Sequence, residues 1–486
     1  METAGVWMLG AVALVMITTG LPAWIVLIGI AMASCLVGLA GGAFTWPLLT
    51  ALPSRVLGLL ENDLLQAMPL YVFMGALLNR LPLAAILLRV GERALARTGA
   101  GAPLAGLGLG VVLAPMNGSV GAGVAMLTRT VLPRLDASGM PIDRGAALVT
   151  VSSTLGVVIP PSLVLILLSD AMLRAHTEAV NVTHSAVRII NTQDVFRGAL
   201  VPAGILLLLC VLVTWMVGMR TPATGAPSRA APSRRDWLTA VVTLVFILGL
   251  LTAVTLGYLY AVEAAATGGV TLLVLALAGR ALSFSVLKDV LRDTMVVTGA
   301  LFALLVGATV FTLIVRAFGT DRWVTSMLAG STAGGVYGPL LAVMLVLALC
   351  AFVLDAFEMT FVVIPVLIPP LLMRVPDATW VAVLTLLILQ TSFLIPPFGY
   401  AVLMLRNRLG RSLDGGRFVR ALLPYVLAQL SVLVLVLALP GLLWHDRATL
   451  VEPAARALSD KEVDELLRRQ TEQVEPQQPD APRHRE

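Results

Sequence analysis

Long apolar runs separated by short polar segments dominate the chain up to about residue 445. Several of them reach about 18 residues, the length that an α-helix needs to cross the hydrocarbon core of a bilayer. The pattern therefore predicts an all-α polytopic membrane protein. The runs fall at 5–20, 22–40, 64–79, 103–128, 145–169, 198–219, 237–260, 264–280, 294–316, 335–372, 379–405 and 421–444.

Three polar segments divide or follow these runs. They are a loop at 171–197, a basic linker rich in proline, alanine and serine at 220–236, and a charged tail at 446–486. Within the tail, Ser459 followed by Glu462 is a capping-box pattern and predicts a short helix. The last residues of the tail are polar and proline-rich, so we expect them to be disordered.

The arginines give an orientation, because they accumulate on the cytoplasmic side of membrane proteins. They place the 220–236 linker in the cytoplasm and the 171–197 loop and the tail outside. The same rule makes the 145–169 span start in the cytoplasm and the 379–405 span end there. The two spans are therefore expected to run in opposite directions.

These two oppositely directed spans carry related sequences. Gly156-Val-Val-Ile-Pro-Pro161 in the first matches Ser392-Phe-Leu-Ile-Pro-Pro397 in the second, at an offset of 236 residues. The alternative is coincidence in a chain rich in leucine and valine. An inverted-topology repeat is typical of secondary transporters. The same offset joins Pro160 to Pro396, Pro133 to Pro369, Ser119 to Asp355 and Arg80 to Arg316.

The paired prolines predict helix breaks at matching places in the two halves. Pro160 and Pro161, like Pro396 and Pro397, remove backbone donors and free the carbonyl groups upstream of them. In lipid such groups must be satisfied internally or line a cavity, and they are suitable ligands for Na⁺. The alternative for each motif is a simple kink without a site.

The segment before each break is predicted to be a re-entrant hairpin. In the first half, the turn formers Asn117, Gly118 and Ser119 interrupt an apolar stretch that has arginines at both ends. In the second half, Asp355 and Glu358 lie in a strongly apolar segment, where carboxylates are costly. Either Asp355 binds Na⁺ and Glu358 offers a proton-coupled variant, or both acids are solvated in a short periplasmic loop.

Polar side chains next to the breaks extend the candidate site. Thr154 precedes the first Pro-Pro pair, and Gln390, Thr391 and Ser392 precede the second. They are able to coordinate a cation or donate to a substrate carboxylate. For each serine and threonine the alternative is a hydrogen bond to its own helix backbone.

Composition restricts the function further. Apolar residues make up 58% of the chain and charged residues 13%, which excludes an ordinary soluble enzyme. Three cysteines inside apolar runs and four scattered histidines do not form a metal site. The net charge of +5 comes from arginines that flank apolar runs, so no nucleic-acid partner is expected. Nothing resembles a nucleophile–base pair or a phosphate loop, so we expect no enzyme activity.

At these motifs the chain resembles the large membrane subunit of tripartite ATP-independent periplasmic (TRAP) transporters, the DctM-like subunit. The resemblance covers about residues 5–445, and its last two motifs resemble the mannitol/chloroaromatic-type branch. Asn117 departs from the serine that is common there. The motifs are MPLYVFMGALL (68–78), NGSVGAG (117–123), LGVVIPPSLVLILLSD (155–170), DVFRGALVPAGILL (194–207), FVLDAFEMTFVVIPVLIPP (352–370) and LQTSFLIPPFGYAVLMLR (389–406).

The resemblance implies an importer in the bacterial inner membrane that takes up an organic acid with Na⁺, and this acid is expected to be a 2-oxo acid, a lactate-like acid or another carboxylate. Its expected partners are a small four-helix membrane subunit and a periplasmic substrate-binding protein. The hairpins and broken helices would form a transport domain that moves against a scaffold in an elevator motion. No cofactor is implied apart from the coupling ion. The alternative is a stand-alone proton- or Na⁺-coupled organic anion carrier of another inverted-repeat family.

On this basis we expect scaffold helices and an arm at 1–102, and a first hairpin with its broken helix at 103–170. Residues 171–338 would hold the periplasmic loop, scaffold helices and linker, and 339–405 the second hairpin and broken helix. A last transmembrane helix at 406–445 and the tail at 446–486 would follow.

The site residues are expected in two groups. The ion-binding group is Asn117, Gly118, Ser119, Thr154, Gly156, Asp355, Gln390, Thr391 and Ser392. The group for substrate and coupling is Gly121, Glu358, Thr360 and Gly399.

Overall fold

The computed structural model describes most of the chain, and every helix or turn below lies within that part. The described residues are 3–44, 47–61, 63–116, 119–185, 187–220, 231–280, 282–330, 335–395, 399–409 and 413–443. Within these ranges the regular structure is helical and no strand occurs. Most of the predicted linker and the whole tail, including its capping box, lie outside the described residues.

Six described helices precede the first predicted hairpin. Pro82 follows α5 and separates it from the amphipathic α6, at a bend of 64°. Proline explains this bend, because it cannot continue the hydrogen-bond ladder of the preceding helix. The helices are α1 Ala4–Thr19, α2 Ala23–Ala40, α3 Pro47–Thr50, α4 Leu52–Leu60, α5 Asp63–Arg80 and α6 Leu83–Ala94.

The next six helices contain the first predicted hairpin and break. Short 3₁₀ turns follow α7 at Ala114–Met116 and α10 at Leu155–Val157. The helices are α7 Gly101–Leu113, α8 Val120–Thr130, α9 Leu132–Ala137, α10 Ile142–Thr154, α11 Leu163–Thr183 and α12 Thr192–Met219.

The remaining helices include three long apolar ones, α13 to α15, and then repeat this plan from α17 onward. A π-helical segment, Met359–Val363, lies between α18 and α19. The helices are α13 Arg234–Leu256, α14 Ala261–Ala278, α15 Phe284–Ala317, α16 Thr320–Gly330, α17 Tyr337–Cys350, α18 Ala356–Glu358, α19 Ile364–Leu372, α20 Ala378–Ser392, α21 Tyr400–Leu409 and α22 Gly415–Ala438.

Six described helices are long and apolar enough to cross a membrane, and α5 with α6 would make a seventh as one bent span. The apolar runs at 103–128, 145–169, 335–372 and 379–405 are instead divided into shorter helices. Interrupted helices are what the glycines and prolines of these runs predict. The six are α2, α12, α13, α14, α15 and α22.

Two polar segments are more helical than expected. The predicted loop at 171–197 is wrong in extent, because α11 continues to Thr183 and α12 begins at Thr192. A reciprocal capping box between Asn191 and Asp194 starts α12, which explains why polar sequence there enters a helix. The expected span at 294–316 likewise begins earlier, at Phe284.

The two halves follow one plan at the offset of 236 residues. The helices α17, α18 and α20 each begin 236 residues after α7, α8 and α10. Packing is reciprocal: α8 contacts α21 while α19 contacts α11, and α10 contacts α22 while α20 contacts α12. The halves therefore interlock as related units around α10 and α20, whose side chains are almost entirely buried.

Candidate functional site

The first hairpin turns between α7 and α8. Ser119 has extended backbone geometry and caps α8, with its hydroxyl oxygen accepting from the amide of Ala122 at 3.2 Å. Serine at this position satisfies one of the free amides of the helix start. Asn117 and Gly118, predicted as ion ligands, lie outside the described residues.

The first break separates α10 from α11. Pro160 and Pro161 lie in it, joined by a cis peptide bond. Ser162 closes the break, because its hydroxyl donates to the Val157 carbonyl at 2.8 Å and accepts from the Leu165 amide at 3.1 Å. The interruption is therefore a built loop with its own hydrogen bonds and is more than a kink.

Gly156 places this break directly against the first hairpin. A Cβ atom at residue 156 would lie 2.6 Å from the backbone nitrogen of Pro115 and would also overlap Ala114. Only glycine permits this approach of two backbones. A small recess of about 20 Å³ remains between the two segments, enough for one water-sized occupant. Its polar lining comes from Ser119, Ser153 and Ser162.

The two breaks meet through residues that are related by the repeat. Gln390 donates from Nε2 to the Thr154 hydroxyl at 3.0 Å, and both side chains are buried. Their positions differ by 236 residues, so equivalent sites in the two halves touch each other. The Oε1 atom of Gln390 is buried without a hydrogen-bond partner among the described residues. A buried amide oxygen is costly to leave unpaired, which makes it a candidate ligand for an ion or water.

Thr391 and Ser392 lie beside Gln390 but bond to their own helix. The Thr391 hydroxyl donates to the Leu387 carbonyl at 2.7 Å, and the Ser392 hydroxyl donates to the Leu389 carbonyl at 2.7 Å. Thr154 similarly donates to Val151 at 2.9 Å. These hydroxyl groups keep oxygen lone pairs for a cation but have no proton left to donate to a carboxylate.

The second hairpin turns at Asp355, the repeat counterpart of Ser119. Asp355 caps α18 by accepting from the Ala356 amide at 2.7 Å, and Glu358 accepts from the Asp355 amide at 3.0 Å. The two acids therefore form a reciprocal capping box at the start of α18. The D-x-x-E pattern is the signal that would have revealed this role.

The segment after Glu358 is a π-helix, a rare form that is frequent at functional sites. Thr360 in this segment is buried and donates to the Ala356 carbonyl at 2.7 Å. Glu358 is also buried. The candidate residues of the second hairpin therefore share one short, irregular and largely buried segment.

The second break is described only at its edges. Pro396 and Pro397 lie outside the described residues, between the end of α20 and the start of α21. Gly399 donates its amide to the Ile395 carbonyl at 2.9 Å, and a Cβ at residue 399 would lie 2.6 Å from the Phe393 carbonyl oxygen. Glycine is thus required where the chain turns into α21.

Tyr400 is a site residue that the sequence analysis missed. Its ring packs edge-on against Phe393, with the ring centroids 6.3 Å apart. Its hydroxyl also approaches the first hairpin, since a Cβ at Gly121 would lie 3.0 Å from it. Tyr400 therefore connects the residue that follows α20 with the first hairpin.

We expect Gly121→Ala to reduce transport about fivefold, because the added methyl group displaces the Tyr400 hydroxyl, and overpacking costs about 1–3 kcal/mol. Tyr400→Phe removes the obstructing oxygen. In a double-mutant cycle measured by uptake and by unfolding, the double variant should therefore resemble Tyr400→Phe alone. Strictly additive effects would show that the two residues do not interact.

A solved structure shares this fold. The crystal structure of the YdaH transporter of Alcanivorax borkumensis aligns with this chain at a TM-score of 0.60. The alignment covers 82% of this chain and 88% of that chain at 17% sequence identity. At this identity the likeness shows the fold of a polytopic membrane protein and nothing finer.

Sequence relatives are permease subunits of transporters. The C4-dicarboxylate TRAP transporter large permease protein DctM of Pseudomonas aeruginosa is 23% identical over 389 residues, 78% of this chain and 85% of that protein. The sialic acid TRAP transporter permease protein SiaT of Haemophilus influenzae is 20% identical over 407 residues, 82% of this chain but 62% of that protein.

The family model described as the DctM component of the tripartite ATP-independent periplasmic transporter matches residues 10–442. This range contains both hairpins, both breaks and all the helices that surround them. Together with the apolar helices, it identifies a multi-pass membrane protein and a TRAP transporter subunit. The chain therefore belongs to the DctM component family of tripartite ATP-independent periplasmic transporters.

Proposed function

We propose that this chain imports an organic acid across the bacterial inner membrane, driven by co-transported Na⁺. The observation that carries the proposal is the contact between Thr154 and Gln390, which joins two repeat-related helix breaks at a buried polar centre. Inverted-repeat transporters bind substrate and ions where such broken helices meet. A periplasmic binding protein delivers the acid, and a small four-helix membrane subunit completes the complex.

The ions in this proposal occupy two places. The first is the recess between the first hairpin and the first break, which Ser119 and Gly156 line. We assign Asp355 to this ion as its charged partner, because it is the repeat counterpart of Ser119. The second is formed by the end of α20, where the Gln390 oxygen has no partner among the described residues and Thr391 and Ser392 retain lone pairs. Oxygen ligands of these kinds suit Na⁺.

The transport domain is proposed to consist of 103–170 and 339–405 and to move as an elevator against the scaffold. One contact between the two parts is well defined: Arg316 on α15 donates to the Pro365 carbonyl on α19 at 2.9 Å. The same guanidinium binds both carboxylate oxygens of Glu178, at 3.0 and 2.8 Å, in the part of α11 that follows residue 170. An elevator motion would have to open the contact with Pro365.

The repeat counterpart of Arg316 makes a different contact. Arg80 at the end of α5 binds Asp289 at 3.2 Å and Asp293 at 2.8 Å, both on the scaffold helix α15. Arg80 thus binds within the scaffold, whereas Arg316 also reaches the proposed transport domain through the Pro365 carbonyl.

The test is uptake in proteoliposomes that contain the chain and its small membrane subunit, with and without the binding protein. We expect uptake of a radiolabelled organic acid to require both an inward Na⁺ gradient and the binding protein. K⁺ in place of Na⁺ is the control for membrane potential. Uptake without the binding protein, or with a proton gradient alone, would favour a stand-alone carrier.

A further inference from the structure

A cavity of about 470 Å³ lies between the scaffold and the second hairpin, apart from the recess described above. Its walls come from α4, α11 and α15 and from the π-helical segment with α19. Its volume falls in the range of about 300–1,000 Å³ that small-molecule sites occupy. In the orientation that the arginines predict, the cavity faces the periplasm. It reaches Thr360, which lies one helical turn after the first residue of α18.

The charged groups of this cavity favour an anion. Three arginines and two acids line it, which leaves one net positive charge. Arg316 is held by Glu178, and Arg174 donates to Asp170 at 3.0 Å. Arg55 on α4 is exposed, and its guanidinium makes no hydrogen bond or ion pair with the described residues. The free guanidinium suits a single carboxylate, which it binds with two parallel hydrogen bonds.

The uncharged polar groups of the cavity are acceptors. Thr309 and Thr312 on α15 each donate to the carbonyl four residues earlier at 2.8 Å, and Thr360 does so at 2.7 Å. Since each hydroxyl proton is used in the helix, the three oxygens present lone pairs to the cavity. They are complementary to hydroxyl groups of a ligand and have nothing to donate to a keto oxygen.

We infer that this cavity binds a monocarboxylate that carries two or more hydroxyl groups. Arg55 takes the carboxylate, and the oxygens of Thr309, Thr312 and Thr360 accept from the ligand hydroxyls. The inference rests on the proposed import function and narrows its substrate class. It excludes 2-oxo acids and unsubstituted acids as preferred ligands, because neither offers donors to the threonine oxygens.

The inference is tested by measuring how small acids bind directly to the purified complex of the two membrane subunits. The selectivity of the periplasmic binding protein does not enter this measurement. Three acids of equal carbon number serve as probes: glycerate with two hydroxyls, propionate with none and pyruvate with a keto group. We expect glycerate to bind roughly 4- to 100-fold more tightly than propionate, from two hydrogen bonds each contributing roughly 2- to 10-fold. Equal or tighter binding of propionate or pyruvate would overturn the inference.

Matched variants locate the effect. Thr309→Val and Thr312→Val should each weaken glycerate binding roughly 2- to 10-fold and leave propionate binding unchanged. Thr294→Val is the control, because Thr294 lies on the same helix with the same backbone bond but does not line the cavity. Arg55→Gln should weaken the binding of all three acids equally. Threonine variants that leave glycerate binding unchanged would contradict the assignment.

Na⁺-driven uptake by the same preparation separates this inference from the proposed function. If uptake depends on Na⁺ and the binding protein but glycerate has no advantage over propionate, only the substrate class is wrong. If no acid of the panel is taken up with a Na⁺ gradient, the import proposal itself fails and the cavity loses its assignment with it.

Discussion

Asp355→Asn is expected to lower Na⁺-dependent uptake by roughly a hundredfold while the protein folds normally. Asparagine caps a helix about as well as aspartate, so α18 keeps its cap and loses only the charge. Removing the charged partner of a buried cation costs about 3 kcal/mol or more, which corresponds to this factor in ion affinity. Uptake measured as a function of Na⁺ concentration gives the loss of Na⁺ affinity. A higher Na⁺ concentration should recover part of the uptake rate.

Asp377→Asn is the matched control. Asp377 caps α20 by accepting from the Trp380 amide at 2.8 Å, which is the same role outside the candidate site. This variant should transport normally. Equal loss in both variants, or unchanged Na⁺ dependence in Asp355→Asn, would show that Asp355 serves only as a helix cap. Glu358 would then be the acid to examine next.

Gly156→Ala is expected to abolish transport and to destabilise the protein by about 3 kcal/mol. The added methyl group would enter the backbone of Ala114 and Pro115, and backbone cannot move aside as a flexible side chain does. Overpacking of this kind usually costs about 1–3 kcal/mol, and backbone overlap belongs at the upper end. Thermal unfolding in detergent and uptake at saturating substrate measure the two effects.

Gly108→Ala is a control that should change the stability of the protein in the opposite direction. Gly108 lies in α7 of the same hairpin, and a Cβ there would meet no atom within 4 Å. Alanine in a helix interior should stabilise the protein by about 0.5–1 kcal/mol and leave transport unchanged. A Gly156→Ala protein with normal stability and normal uptake would mean that the first break and the first hairpin separate in the working state.

The candidate site was partly predictable from single residues. Ser119 and Asp355 were paired from an ungapped offset, and the structure gives both the same position, at the start of the second helix of a hairpin. The spacing of Asp355 and Glu358 was visible too, but the capping box that these two residues form was not predicted. Tyr400 was missed entirely, because an aromatic residue after a break has no local pattern that marks it.

The sequence by itself determined the membrane class, the repeat and the places where helices break, because hydropathy, proline and glycine act locally. The tertiary structure decided which residues meet. Thr154 and Gln390 are 236 positions apart, and Arg316 and Glu178 are 138 apart, and neither contact follows from spacing. Such pairs depend on how the two halves interlock, since packing between distant helices joins residues that no local propensity relates.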